Sequence, residues 1–275
     1  MAFRLLPFFL ILAITLSCSS DNGDLEAVNQ ENNANYFPLA ANNTWTYNNV
    51  QEADGEDNIE STDVLTVNST TTISGNSYFN FLQDEVQEGF TTALFANGAV
   101  RKENNKLIYN GTLNFEFDGI DPIEIPITDA TVYNKTAVAG MQLYELNNTV
   151  TQTIMDIPVT ISFTIRTEDA GQFESFSVGT EEFTDVIASK VIVNVDISAS
   201  FDILGTPIAI PILMSQDVIN ATNYYASDIG FVYSDVVFQY ELEDLSQFNI
   251  ELPIPESATI NSTQSITDWN VVLED

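Results

Sequence analysis

Apolar and polar residues alternate with a period of two along most of this chain. From Val191 to Ile203 the odd positions are Val191, Val193, Val195, Ile197, Ala199, Phe201 and Ile203, while Asn194, Asp196, Ser198, Ser200 and Asp202 fall between them. Successive side chains of an extended chain point to opposite faces, so this spacing predicts a long strand buried on one face. Ile157, Val159, Ile161, Phe163 and Ile165 alternate in the same way with Pro158, Thr160, Ser162, Thr164 and Arg166. Leu113, Phe115 and Phe117 form a third such run, and Val236, Phe238, Tyr240 and Leu242 a fourth. Beyond the N-terminal segment no window of helical length carries a clean 3.6-residue period.

Turn residues separate these runs: Asp54-Gly55, Asn97-Gly98, Asn110-Gly111, Asp118-Gly119 and Gly205-Thr206-Pro207. Such pairs supply the positive φ of tight hairpins and predict a meander of antiparallel strands. Prolines recur inside Ile-rich runs, in IDPIEIPI from Ile120, DIPVTI from Asp156, GTPIAIPI from Gly205 and LPIPE from Leu252. Proline donates no ladder bond, so these stretches belong at sheet edges, bends or strand starts. They either protect an edge from unwanted pairing or form the rim of an open half-barrel. Long strands with one apolar face have to close on something. The expected fold is all-β, a strongly curved antiparallel meander sheet, with a β-sandwich as the alternative.

The N-terminus reads differently. In MAFRLLPFFLILAITLSC a single cation, Arg4, precedes an apolar run from Leu5 to Leu16. That is the grammar of a secretory signal. A run of about a dozen residues falls short of the roughly twenty that span a bilayer as a helix. The stretch TLSC ends on Cys18, the only cysteine in the chain. It resembles the lipobox of bacterial lipoproteins, with Thr15 where leucine is usual, a looseness found in Bacteroidota. The resemblance implies cleavage before Cys18 and lipid attachment there. An ordinary signal cut elsewhere is the alternative. One acyl chain holds a protein only marginally, each buried methylene contributing about 0.8 kcal/mol, and the two or three chains of bacterial lipoproteins imply lasting attachment. The next residues, SSDNGDLEAVNQENNA, bury nothing and form an acidic tether. The expected organisation is a signal peptide at 1–17, lipidated Cys18 and flexible tether at 18–34, and a single all-β domain at 35–275.

Charge narrows the partners. Forty acids face seven cations, for a net charge of −33. Nucleic acid needs clustered Lys and Arg and is excluded as a partner. An anionic membrane also repels such a body, which leaves the lipid to attach it. The acidity suits either salt-rich surroundings, where charges are screened, or plain solubility. A chain that is 44% apolar and 11% aromatic still has material for a core.

Three stretches together resemble a known family. YFPLAANNTWTY from Tyr36 is similar to the YFPL-x-x-G-N-x-W-x-Y opening of secreted Bacteroidota lipoproteins, with Asn42 at the usual glycine. SVGTEEFTDVIASKVIVN from Ser177 is similar to a segment that leads into a long strand, with Gly179 displaced from the usual glycine. NYYASDIGFVYSD from Asn223 is similar to a C-terminal YYA-x-G-[IV]-G-x-V segment, with Asp228 at the first glycine and Gly230 at the second. These are features of the TapB, DUF3108-like group of lipoproteins. The resemblance implies the half-barrel of lipoprotein carriers (LolA-like) and an outer-membrane location, periplasmic or surface-exposed, and it brings no catalytic residues. Read by themselves, the motifs are structural. Trp45 and Tyr47 share a strand face and are expected in the core, Pro38 is expected to start that strand, and Phe183 and Val186 are expected to pack nearby. Gly230 is expected at a bulge or a close backbone approach.

The chain has no histidine. Ser-His-Asp and Cys-His catalysis are therefore out, as are most zinc, copper and iron sites. No phosphate-binding glycine motif is present. Lys102, Lys106, Lys135 and Lys190 read as surface charges. The cluster Asp54, Glu56, Asp57 and Glu60 lacks EF-hand spacing and reads as a solvated loop rather than a calcium site. Cys18 is the one assigned site residue, with no catalytic residue, metal or cofactor. The expectation is a non-catalytic envelope lipoprotein that binds an apolar ligand in its concave sheet. A surface module for glycans or adhesion is the alternative, and a carboxylate-based hydrolase is the third.

Overall fold

The structure, a computed structural model, describes residues 34–273 except 54, 56, 84–85, 118–119, 155–156, 204–205 and 247–253. Among these residues twelve antiparallel strands form one sheet. They are β1 Thr44–Ala53, β2 Ile59–Ile73, β3 Asn76–Phe81, β4 Gly98–Glu103, β5 Lys106–Phe117 and β6 Ile120–Asn134. The chain returns through β7 Gln142–Ile154, β8 Ile157–Val178, β9 Glu181–Ile203, β10 Thr206–Ala226, β11 Gly230–Glu241 and β12 Ser257–Asn270. A short helix, α1 Phe90–Ala96, lies between β3 and β4. The sheet runs β6-β5-β4-β3-β2-β1-β12-β11-β10-β9-β8-β7, so the meander is continuous except that β1 meets β12 and the chain neighbours β6 and β7 are its two ends. The sheet curls until these ends meet through side chains: Thr167 Oγ1 on β8 donates to the Thr131 carbonyl on β6 at 2.6 Å. The molecule is thus the expected curved all-β meander, almost closed into a barrel, and not a sandwich.

The four alternating runs lie in β9, β8, β5 and β11. Val193 and Ala199 are buried, as are Val159, Ile161, Phe163 and Ile165. The side chains of Phe115 and Phe117 lie outside the described residues. The prolines sit where a missing donor is tolerated. Pro122 and Pro126 are on the sheet end β6, Pro158 and Pro207 are second residues of β8 and β10, and Pro211 adjoins a register shift. Pro38 does not start a strand. β1 begins at Thr44, and the Pro38 carbonyl instead accepts Asn43 Nδ2 at 3.1 Å in the bend before it.

Two of the expected hairpin turns are not turns. Asn97 caps α1, and Gly98 opens β4. Gly111 lies inside β5, directly across the ladder from Gly98. The reason is Tyr109, whose ring crosses both. A Cβ on Gly98 would sit 2.2 Å from that ring, and one on Gly111 would sit 2.1 Å from the Tyr109 hydroxyl. The glycines make room for a side chain rather than bend the backbone. Asp118-Gly119 lies outside the described residues.

The segments from Tyr36, Ser177 and Asn223 converge on one end of the barrel. Phe37 reaches the centre of the core, against Trp45, Phe81, Phe95 and Tyr225. The Tyr36 hydroxyl donates to Asp185 at 2.6 Å, and the Asn35 amide donates to Asp228 at 3.1 Å. Trp45 Nε1 donates to the Ile229 carbonyl at 2.7 Å, and the Tyr47 hydroxyl to the Phe231 carbonyl at 2.9 Å. Burial pushes the Tyr47 hydroxyl pKa well above its ordinary value. Gly230 has φ +116° and a Cβ there would meet the Trp45 indole at 3.1 Å, the close approach expected of it. Asn42 and Asp228 both adopt positive φ, 68° and 61°. Asn and Asp are the residues that tolerate this conformation best after glycine.

Candidate functional site

α1 lies across the concave face and is held there by strands rather than by its own sequence. Its N-cap, Gly89, offers no side chain. The orphan N–H groups of the first turn go to distant residues instead. Asp63 on β2 accepts the amides of Glu88 and Gly89 at 3.0 and 2.9 Å, and Gln264 Oε1 on β12 accepts the Thr91 amide at 2.8 Å. The Thr92 hydroxyl donates to Asp63. Gln264 Nε2 donates to Asn49 at 3.0 Å and to Thr92 at 2.8 Å. The Thr91 hydroxyl donates to Asn223 at 2.7 Å beside Ser234. Asp63, Thr91, Thr92, Asn223, Ser234 and Gln264 are all within 2% of complete burial. At the helix C-terminus the Tyr109 hydroxyl donates to the Leu94 carbonyl at 3.0 Å. This satisfied network has hydrogen bonds for its buried polar groups and fixes the plug. With Phe95 of α1 packed against Phe37, Phe81 and Phe231, and Tyr225 beside Phe37 and Phe231, this part of the lumen is filled by the chain itself.

The outer face differs along the sheet. Over β3 to β6 the buried Tyr78 hydroxyl donates to Asp129 and accepts Arg101 Nε and Asn110 Nδ2, each at 2.9 Å. Burial is the main cause that raises the Tyr78 pKa. Arg101 also pairs with Glu103. Over β8, β10 and β11 lies an aromatic cluster. Phe176 stacks on Tyr224 with centroids 4.1 Å apart and an angle of 14°. Tyr233 and Phe173 lean against them at 48–58°. Asn223 and Ser234 point inward, so strand alternation turns their neighbours Tyr224 and Tyr233 outward. The rings stack on one another and do not form a flat platform.

Across the outer face of β7 to β10 runs an open groove of about 510 Å³, lined by amides and hydroxyls that include Asn147, Thr149, Ser162, Thr164, Asn194 and Ser215. Asp196 is the only charged residue of its lining. The polar groups are already positioned by one another. The Thr164 hydroxyl donates to Asn147 at 2.6 Å, the Thr149 and Ser162 hydroxyls are 3.1 Å apart, and the Ser215 hydroxyl donates to Asn194 at 2.8 Å. Asn194 Nδ2 donates to Asp217 at 2.9 Å, which in turn pairs with Arg166 at 3.1 Å. The described chain begins at Ala34, whose carbonyl accepts Lys135 Nζ and which lies next to the Asn35–Asp228 contact. From Asp185 at that end to Asp196 in the groove, β9 advances roughly 35 Å at about 3.3 Å per residue.

Cys18 and the tether up to residue 33 lie outside the described residues, as do Asp54 and Glu56 of the acidic loop. Among the described residues no group of three or more His, Cys, Asp and Glu side chains is placed to hold a metal ion. Lys102 and Lys106 are exposed and Lys190 is half-buried. No helix among the described residues is long and apolar enough to cross a membrane. Fold and surface together define a one-sheet, plugged β-shell with a polar outer groove. Compared with protein-family models, curated proteins and solved structures, the chain matches none.

The polar pins had a signal in the sequence. Asn49 shares a strand face with Trp45 and Tyr47, Asp63 with Leu65 and Val67, and Gln264 with Ile266. A polar residue in the apolar phase of a strand has to find a partner inside. What the partner is, here a helix brought in from 172 or more residues away for Gln264, lies beyond any local pattern.

Proposed function

We propose that this protein is a non-catalytic lipoprotein of the cell envelope, anchored through lipid on Cys18 to the outer membrane, that binds a neutral glycan in the outer groove of β7 to β10. The observation that carries this reading is the groove's lining. In a chain of net charge −33, seven of its nine lining residues are uncharged amides or hydroxyls, several of them hydrogen-bonded to one another, beside Phe163 and Asp196. Such groups donate and accept at once, as sugar hydroxyls require, and their mutual hydrogen bonds lower the ordering cost of binding. The groove also stands far from Ala34, where the described chain begins, which suits a module that reaches outward. The resemblance to the TapB, DUF3108-like group supports the anchor and the envelope location. An apolar ligand in the concave sheet is the weaker reading, because the plug and its aromatic surround occupy the middle of that space.

The reading is tested by calorimetric titration of the mature chain with soluble neutral polysaccharides: dextran, a β-glucan and a mannan. Binding to one of them is expected, weakened at least tenfold by Asn194→Ala and by Ser162→Ala with the circular dichroism spectrum unchanged. Absence of binding to all three, or affinity indifferent to both substitutions, refutes it. Mass spectrometry of the mature N-terminus tests the anchor, with diacylglycerol on Cys18 as the expected result.

A further inference from the structure

We propose that the edge of β7 from Leu146 to Ile154, which among the described residues pairs with no strand but β8, is a self-recognition strand, on which a second copy of this chain adds its own β7 in antiparallel register about a two-fold axis at Val150. The two ends of the sheet are unlike. β6 carries Pro122 and Pro126 and a positive φ at Asp129, with register shifts along its pairing with β5. These are the features that blunt an edge. β7 has no proline and no positive φ, and its one register shift lies at its start, between Gln142 and Tyr144. It is 13 residues long, its sequence QLYELNNTVTQTI has no proline or lysine, and it pairs with β8 alone. From Asn147 to Ile154 it is uncharged, in a chain with 40 acids.

The interior face of this edge is unfinished. Leu146, Val150 and Ile154 pair across the ladder with Ile165, Ile161 and Ile157 on the core side, yet all three remain half-buried. Asn148 faces inward opposite Phe163 and is exposed. The Nε2 of Gln152, on the same face, is buried and has no hydrogen-bond partner.

A second β7 answers each of these points. With Val150 opposite its own copy, Leu146 meets Ile154 and Asn148 meets Gln152, which gives the orphan amide a carboxamide oxygen to donate to. On the outer face Thr149 meets Thr151 and Asn147 meets Thr153. Glu145 is the one charged residue of β7 and lies outside the span from Leu146 to Ile154 that pairs with its copy, so the pairing puts no like charges together. Unsatisfied edge amides and carbonyls gain partners, and half-buried apolar side chains lose water. The two-fold turns the two Ala34 ends in opposite directions, an arrangement suited to bridging two facing surfaces.

The test is the mass of the full mature chain by sedimentation velocity in detergent at 0.5 M salt, where screening removes long-range repulsion between copies. A dimer is expected at micromolar concentration. Thr149 and Thr151 are exposed, so replacing them leaves the monomer intact. T149K/T151K places lysine opposite lysine and is expected to give a monomer, even though it lowers the net negative charge. T149K/T151E places lysine opposite glutamate twice and is expected to restore the dimer. Circular dichroism verifies that both variants fold. A wild-type monomer at 100 µM overturns the proposal, and so does a dimer that T149K/T151K leaves unchanged or that T149K/T151E fails to restore.

Discussion

The two halves of this sheet solve the same problem differently. On one side β3 and β4 are only six residues long, and α1 with Phe37 fills the space they enclose. On the other side β8, β9 and β10 run for 22, 23 and 21 residues, close on their own apolar inner faces, and with β7 at the sheet's end carry the groove outside. Around α1 the inward polar residues are satisfied by the plug, whereas in the groove the polar residues point outward and are satisfied by each other. The difference teaches where function has room. A network that must be complete to tolerate burial has no donor left for a ligand, whereas outward amides can exchange partners at little cost.

Substitutions in the plugged half should therefore cost much more stability than those in the long-strand half. The largest effect is expected for Trp45→Ala. It removes a fully buried indole and orphans the Ile229 carbonyl, a loss of about 4–5 kcal/mol measurable by urea unfolding. Asp63→Ala leaves the Glu88 and Gly89 amides without an acceptor and should cost about 3 kcal/mol, lowering Tm by roughly 6–12 °C. Gly89→Ala tests the fit of helix and strand. Its Cβ would lie 1.8 Å from Gln264 Nε2, although its φ of −78° suits alanine. A cost of about 2 kcal/mol is expected, and the double variant with Gln264→Ala should cost at least about 0.5 kcal/mol less than the sum. Strict additivity would mean that the two residues do not meet. Asn194→Ala, in the groove, should move Tm by no more than about 2 °C.

The smallest effect concerns pH. Burial raises the Asp169 carboxyl above its ordinary value, partly offset by the Gly171 amide that donates to it at 3.0 Å. The folded state then holds this proton more tightly than the unfolded state. Its contribution to stability falls as pH rises from 3.8 through the raised value. Asp169→Asn removes the penalty and keeps the acceptor oxygen. It should raise Tm at pH 7 by on the order of 1 °C, with the difference vanishing below pH 3.8.

Most of the long-strand half was legible in the sequence, because a strand exposed on one face writes its period into the chain. β8 and β9 contain the longest alternating runs, and the prolines of β8 and β10 stand at strand starts or beside a register shift, as proline must. The plugged half was less legible for a definite reason. α1 is seven residues long, too short for a period to show and too short to be stable alone. Its caps are Asp63 and Gln264, side chains of other strands. Gly98 and Gly111 imitate hairpin signals because the demand on them, space for Tyr109, comes from tertiary packing. The groove was illegible for the opposite reason. Its residues are ordinary outward positions of strands, and only the register that aligns Asn147 with Thr164 and Thr164 with Asn194 makes a surface of them.

Hydrogen exchange of the mature chain, read with and without a soluble neutral β-glucan, dextran or mannan that it binds, tests the division between the halves most directly. Amides of α1 should exchange only as slowly as global unfolding permits in both conditions, since strand side chains hold them. Peptides containing 147–149, 162–164 and 194–196 should slow only when the glycan is added. Exchange of α1 within seconds, or glycan protection that falls on the plug and spares the groove, would contradict the account.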